Sequence, residues 1–286
     1  MGAAFQGRTS FIYLLYGELT LALQMPSHIL TIHRLSDLSK ELIAKKVRRE
    51  SKELEILRIL DTIQPKSEHV ISLLDSFYAH PGHWVILPKM DAVATYLMTN
   101  PSKLNTSVAR MCWGLIKGLA HLHMHHLAHR DIKPDNLVVD KDFCLKIIDF
   151  DVAILVKDED EAVDDYCGTK YWIAPEIEKA SLMYSPIKAD RWSCGRVILY
   201  LLDKLGKEDE FRKEDNPLRA IAKKLTVQNP KQRPSLLEWQ IWASLPLHVG
   251  RRKILGPQCA NRVDNESGPP KAKRPRFTGP MVPKAC

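Results

Sequence analysis

The chain has 286 residues, 45% of them hydrophobic, which is enough to bury a sizeable core. Its formal charge is +8, but residues 251–286 alone hold nine Lys and Arg against two acidic residues. The remainder is nearly neutral, so we expect no specific nucleic-acid partner. No apolar run approaches the length of a membrane span, and the six cysteines form no C-x-x-C pair, which excludes a membrane protein and a disulfide framework.

The first third of the chain predicts strands around one helix. Residues 11–35 are rich in apolar, Thr and Tyr residues and favour two or three strands joined by turns. In residues 36–60, leucines recur at helical spacing among charged residues, which predicts a helix. Strands return at residues 70–77 and 84–87, where the intervening Pro81-Gly82 indicates a hairpin.

Beyond Met90 the pattern becomes mostly helical, with residues 108–124 and 188–205 as the longest predicted helices. The fold class is therefore α+β, with a small β-rich part followed by a larger helical part within residues 1–250. From Gly250 onward, six of the 18 prolines lie among scattered charges with almost no aliphatic periodicity. Such a composition cannot bury a core, so residues 251–286 are predicted to form a disordered basic tail.

The run from His129 to Asn136, His-Arg-Asp-Ile-Lys-Pro-Asp-Asn, supplies the side chains that phosphoryl transfer requires. Asp131 can accept a hydroxyl proton, and Asn136 can bind a metal ion. Asp149, thirteen residues after Asn136, is followed by Phe150 and can join the metal to the nucleotide phosphates. The spacing predicts a phosphotransfer site.

These motifs, with three others in the same order, resemble those of the eukaryotic protein kinases over about residues 12–245. The resemblance implies a bilobal kinase fold that binds Mg²⁺ and ATP and acts on a protein substrate. The implied boundaries are an N-lobe of about residues 11–87, a hinge at 88–91 and a C-lobe at 92–250. The three further motifs are GTKYWIAPE (168–176), DRWSCG (190–195) and NPKQRPS (229–235).

The resemblance assigns a role to each polar residue of the loop. Asp131 is expected to be the catalytic base, and Lys133 to neutralise the transferring γ-phosphate. Asn136 and Asp149 are expected to hold Mg²⁺. The Asp-x-Lys order resembles Ser/Thr-specific kinases and favours Ser or Thr as the acceptor.

The hinge alignment predicts how adenine is held. The carbonyl of Pro88 would accept a hydrogen bond and the amide of Met90 would donate one, so the missing N–H of proline is no obstacle. Leu87 would control the back pocket, and Val138 would form the apolar floor.

The N-terminal part departs from the kinase pattern. Gly17 resembles the last glycine of the Gly-rich loop, but the two earlier glycines are absent, and a close approach of the backbone to phosphate needs them. The strand lysine is also missing: His33 takes its place, or Arg34 in a register shifted by one. Glu53 holds the position of the helix glutamate that pairs with it, and Asp151 replaces the glycine that follows Asp149-Phe150.

Three further residues have structural roles implied by the resemblance. Glu176 is expected to pair with Arg233 and tie the activation segment to the helical lobe. Asp190 is expected to bind the backbone of the catalytic loop.

Six acidic residues between 158 and 165 either pair with Arg130 as a phosphorylated loop would, or form a solvated loop.

The sequence thus predicts an ATP-dependent Ser/Thr protein kinase, and we expect it to be a monomer. The alternative is a pseudokinase that serves as a nucleotide-binding or scaffolding module, because the altered N-terminal part weakens the phosphate anchor. The basic cluster from Lys271 to Arg276 resembles a nuclear-import signal that an import receptor would bind; a solvated tail is the other interpretation. The expected location is nuclear or cytoplasmic.

Overall fold

A computed structural model of the chain describes residues 3–6, 12–15, 28–34, 36–79, 82–99, 104–178, 183–205 and 216–239. For residues 3–6, 12–15 and 104–106 only the backbone is described. All of these residues belong to one unit, Met1–Gly250. Gly17 and the predicted disordered tail lie outside the described residues, so their assignments stay predictions.

The N-terminal part is a six-stranded sheet with one helix. The strands are β1 (Ala3–Gln6), β2 (Ile12–Leu15), β3 (Ile29–Arg34), β4 (Asp37–Lys46), β5 (Asp75–Ala79) and β6 (Gly82–Pro88), and the helix is α1 (Glu53–Thr62). Each strand is antiparallel to its neighbours, in the order β1-β2-β3-β4-β6-β5. The predicted hairpin is confirmed by the pairing of β5 with β6.

The helix predicted over residues 36–60 is wrong in its first half. Residues 37–46 form β4, where buried Leu42 and Ala44 alternate with less buried neighbours, the period of a strand. The helix begins only at Glu53, where the hydroxyl of Ser51 accepts a hydrogen bond from the Glu53 amide at 3.0 Å. Two glutamates in its first turn favour this position because they complement the positive end of the helix dipole.

The C-terminal part is mainly helical. Its helices are α2 (Val93–Thr99), α3 (Leu104–Met124), α4 (Pro175–Glu178), α5 (Pro186–Asp203) and α6 (Pro217–Leu225). This part packs around α3, most of whose described apolar residues are fully buried. The prediction of two long helices is confirmed by α3 and α5. Ser185 caps α5, because its hydroxyl accepts a hydrogen bond from the Lys188 amide at 3.2 Å.

Short strands bring the loop from His129 to Asn136 into position between the two parts. They are β7 (Asp91–Ala92), β8 (Leu127–Ala128), β9 (Leu137–Val139), β10 (Leu145–Ile147) and β11 (Ile154–Leu155). β9 pairs with β10 and with β7, while β8 pairs with β11. The carbonyl of Asn136 accepts from the Ile148 amide at 3.0 Å, which sets the loop beside Asp149.

The β-rich part, the single helix and the large helical part together form the bilobal α+β fold of a protein kinase, as the sequence predicts. Among the described residues, no helix is both long enough and apolar enough to cross a membrane.

Candidate active site

Lys45, Glu53 and Asp149 form an ion cluster that we call the Lys45 triad. The ammonium of Lys45 lies 2.7 Å from Glu53 Oε1 and 2.6 Å from Asp149 Oδ1. The register of β4 sets Lys45 opposite Val85 of β6, so the lysine comes from the middle of the sheet and Glu53 from the first turn of α1. The triad therefore joins the sheet, the helix and the segment after β10.

The charges of the triad depend on one another. Burial lowers the pKa of Lys45, but the charges of Glu53 and Asp149 outweigh burial and leave that pKa raised. Burial raises the pKa of Asp149, but Lys45 reverses this effect and leaves it lowered. The side chain of Glu53 is only 1% exposed, and burial raises its pKa in spite of Lys45. Lys45 is thus the cation that offsets both carboxylates, although its effect exceeds that of burial only at Asp149.

The His33 assignment is wrong, and so is its Arg34 alternative. His33 pairs with Glu41 of β4, four residues before Lys45, a distance of ~13 Å along the strand. Its Nδ1 lies 2.8 Å from the carbonyl oxygen of Leu38, in the turn-proximal half of the hairpin. The pairing of β4 with β6 sets which residue contacts Glu53 of α1, and in this register that residue is Lys45. The sequence motif around His33 does not decide it.

A second group, which we call the Asp131 cluster, comprises Asp131, Lys133, Asn136 and Thr169. Lys133 Nζ donates to Asp131 Oδ2 at 2.7 Å and to Thr169 Oγ1 at 2.8 Å. The Thr169 hydroxyl donates to Asp131 Oδ1 at 2.7 Å. Asn136 Nδ2 donates to the Asp131 carbonyl at 2.8 Å and to its carboxylate at 3.1 Å. The carboxylate is therefore held by three different side chains.

Asp190 holds the backbone before Asp131. Its carboxylate accepts from the amides of His129 and Arg130 at 2.7 and 2.8 Å. Arg130 has a φ of 70°, which is uncommon outside glycine, and these two bonds stabilise it. The expected role of Asp190 is confirmed.

The activation segment is held at two points. Arg233 donates to both carboxylate oxygens of Glu176 at 2.6 and 2.7 Å, which confirms the predicted pair. Arg130 forms an ion pair with Asp165, so one member of the acidic group pairs with it as one of the two interpretations predicts. Gly168 is required between these points: its φ is +114°, and a Cβ there would lie 2.4 Å from Ile173 Cγ2.

The predicted Mg²⁺ ligands suit that ion chemically. Asn136 uses its amide nitrogen to bind Asp131, which leaves its amide oxygen as the group for a metal ion. The lowered pKa of Asp149 keeps its carboxylate charged, although Lys45 Nζ contacts one of its oxygens. Carboxylate and amide oxygens are the ligands that hard cations such as Mg²⁺ prefer.

The predicted hinge residues lie at the junction of β6 and β7. Pro88 is the last residue of β6, and Met90 packs against the main core. Val138 lies on β9, opposite Ala92 of β7, so the hinge and the predicted apolar floor belong to neighbouring segments. Leu87 is buried beside them.

Comparison with known proteins agrees with this geometry. Residues 36–233 match the protein kinase domain. The chain belongs to the protein kinase family.

Several relatives are named Ser/Thr-protein kinases. This chain is 33% identical to the Ser/Thr-protein kinase shk2 of Schizosaccharomyces pombe over 58% of its own length and 27% of that protein. It is 34% identical to CLA4 of Candida albicans over 65% of its length and 19% of that protein. It is 28% identical to PAK 1 of Mus musculus over 70% of its length and 37% of that protein. The chain therefore matches well under half the length of each of these relatives.

Sequence reasoning missed two residues of the site. Lys45 follows the continuous apolar run Leu42-Ile43-Ala44, which is the strand signal that could have identified it. Thr169 lies in the GTKYWIAPE segment, 38 residues after Asp131, so its contact with Asp131 had no local sequence signal.

Proposed function

We propose that this protein transfers the γ-phosphate of Mg-ATP to a Ser or Thr hydroxyl of a protein substrate. The contact of Lys45 with both Glu53 and Asp149 carries the proposal most strongly. Lys45 would serve as the phosphate-binding cation, whose apparent loss was one of the reasons to consider a pseudokinase. Membership of the kinase family and the names of the relatives support the same reaction.

Asp131 is the proposed base that receives the proton of the acceptor hydroxyl. In the structure it already accepts a hydrogen bond from an aliphatic hydroxyl, that of Thr169, at 2.7 Å. A substrate hydroxyl would meet the same carboxylate, since each carboxylate oxygen can accept more than one hydrogen bond. Lys133 neutralises Asp131 and supplies positive charge where the phosphoryl group would pass.

Nucleotide binding is assigned to two regions. Pro88 and Met90 would bind adenine through their backbone groups, with Val138 beneath the ring. Lys45 would bind the phosphates, and Glu53 would orient it. When bound by Asn136 and Asp149, Mg²⁺ would offset the negative charge of the phosphates.

The test is γ-phosphate transfer to a generic basic protein by purified wild type and Asp131→Asn. Loss of a positioned base should reduce kcat by ~10²-fold or more. The Asp142→Asn variant, which changes an exposed carboxylate in the turn after β9, is the matched control. Equal signals from wild type and Asp131→Asn, with nucleotide binding retained, would instead favour a nucleotide-binding module.

For the tail we propose that Lys271–Arg276 binds an import receptor and brings the protein into the nucleus. The basic composition of this segment supports the proposal. Deleting residues 251–286 should disperse a fluorescent fusion into the cytoplasm and leave the melting temperature unchanged. A truncated fusion that stays nuclear would contradict it.

A further inference from the structure

Asp151 stands where related kinases have glycine, yet its backbone does not need a glycine here. The left-handed conformation falls on Asp149, with a φ of 69°, and not on Asp151. A side chain at position 151 therefore causes no backbone strain, and its contacts decide what it does.

The side chain and the backbone of Asp151 both contact the link between β4 and α1. Asp151 Oδ2 lies 3.1 Å from Arg48 Nε. The Asp151 carbonyl accepts from the Ser51 hydroxyl at 3.3 Å. The Asp151 side chain is 13% exposed, whereas that of Arg48 is 73% exposed, so the carboxylate is the more buried member of the pair. A glycine could make only the backbone contact.

Ser51 extends these contacts into the Lys45 triad. The oxygen that donates to Asp151 also accepts from the Glu53 amide at 3.0 Å. Glu53 binds Lys45, Lys45 binds Asp149, and Asp149 is joined to Asp151 through Phe150. The contacts close into a ring that links the start of α1 to Asp149.

The charges near Asp151 explain why Arg48 matters to this ring. Oxygens of Glu53, Asp149 and Asp151 all lie within 4.8 Å of one another. Three carboxylates at this spacing repel one another, and the charge of Asp151 contributes to the raised pKa of Glu53 after burial and Asp149. Lys45 offsets Glu53 and Asp149, while Arg48 offsets Asp151.

We propose that Asp151, Ser51 and Arg48 are positioning residues that hold α1 and Asp149 in the arrangement needed to bind Mg-ATP. A glycine at position 151 would leave the backbone conformationally free, whereas Asp151 connects the segment of Asp149 to the start of α1. The kinetic part of this inference rests on the proposed phosphotransfer activity, whereas the connection itself does not.

The first experiment measures coupling between Arg48 and Asp151 in a double-mutant cycle. Arg48→Ala and Asp151→Ala should each lower kcat/KM for ATP by about 2- to 10-fold, the range expected for one ion pair or hydrogen bond. The double variant should be no worse than either single one, because both remove the same contact. Arg49→Ala, which changes the neighbouring exposed arginine, is the control and should match wild type. Additive losses would overturn the role of the pair.

The second experiment separates positioning from general stability. Ser51→Ala should raise KM for ATP more than it lowers kcat, and Ser51→Thr, which keeps the hydroxyl, should restore KM. In Ser51→Ala, hydrogen exchange should become faster at the Glu53 amide and also at the amides of residues 149–151. Faster exchange confined to α1, with KM unchanged, would show that Ser51 is only a helix cap.

The two proposals fail in different ways. If wild type transfers no phosphate but Ser51→Ala loosens both segments in hydrogen exchange, the activity is wrong and the connection stands. If wild type is active but all three positioning variants match Arg49→Ala in both measurements, the connection is wrong and the activity stands.

Discussion

The Lys45 triad joins three elements that lie far apart along the chain, whereas the Asp131 cluster is built mainly within one loop. Lys45 and Asp149 are separated by 104 residues, but Lys133 binds an aspartate only two residues away. The carboxylate of Glu53 is 1% exposed, while that of Asp131 is 15% exposed. The triad therefore depends on the packing of both parts, and the loop cluster depends on local backbone geometry.

This difference predicts that breaking the triad costs both stability and activity. Lys45→Met leaves the buried Glu53 without its cation, so the free energy of unfolding should fall by about 3 kcal/mol, and phosphotransfer should be lost with it. Lys133→Met leaves a more exposed carboxylate and should cost only about 1 kcal/mol. Urea denaturation measures both changes.

Lys46→Met is the control for this prediction, because Lys46 follows Lys45 on β4 and has no ion pair among the described residues. A Lys45→Met variant as stable as Lys46→Met would show that Glu53 takes up a proton instead of remaining a buried charge.

A change at Thr169 should affect the rate with little effect on stability. Thr169→Ala removes the hydroxyl that orients Asp131 and binds Lys133, so kcat should fall about tenfold. Thr169→Ser keeps the hydroxyl and should retain most of the activity. Steady-state kinetics with thermal melting tests both variants, and equal kcat values for Ala and Ser would contradict the orienting role.

The difference between the long-range Lys45 triad and the local Asp131 cluster also explains which site residues the sequence could predict. The residues from His129 to Asn136 form one contiguous loop, so their motif identified the site without knowledge of the sheet. The partner of Glu53 depends on the register of β4 against β6, which is long-range. The leucine spacing predicts one helix across both β4 and α1, and this wrong prediction conceals Lys45 as a strand residue. The contact between Arg48 and Asp151 had no local signal because it joins segments far apart in the chain.

The ion pair between Arg130 and Asp165 should give a smaller effect than either cluster. Arg130 is 8% exposed but Asp165 is 54% exposed, so solvent weakens the pair. Asp165→Asn should reduce phosphotransfer by about 2- to 5-fold, the range for a partly exposed pair. Asp164→Asn is the matched control.

The ion pair between Arg130 and Asp165 also predicts that the activity does not require phosphorylation of the activation segment. Thr169 is the only Ser or Thr between Phe150 and Glu176, and its hydroxyl already binds Asp131. Phosphatase treatment should therefore leave the activity of wild type unchanged. A large loss after that treatment would show that a phosphate elsewhere, and not Asp165, holds the segment.

The smallest effect should be that of pH on the stability of the fold. It should act through buried histidines that belong to neither the Lys45 triad nor the Asp131 cluster. Burial lowers the pKa of His69 and of His123, although Asp190 bonds to His123 at 3.2 Å and opposes the change. The unfolded chain then binds more protons than the folded one at and below pH 6.5, the ordinary value. Stability should be complete above that pH and fall as the pH drops through it.

Thermal melting between pH 7.5 and 5.5 should show this fall in wild type and a shallower fall in His69→Gln and His123→Gln. Within that range the raised pKa of Lys45 and the lowered pKa of Asp149 keep both groups charged. The raised pKa of Glu53 acts in the opposite direction, because the folded protein then takes up the extra proton and gains stability in acid. A slope unchanged in both histidine variants would mean that these histidines do not set the acid limit of the fold.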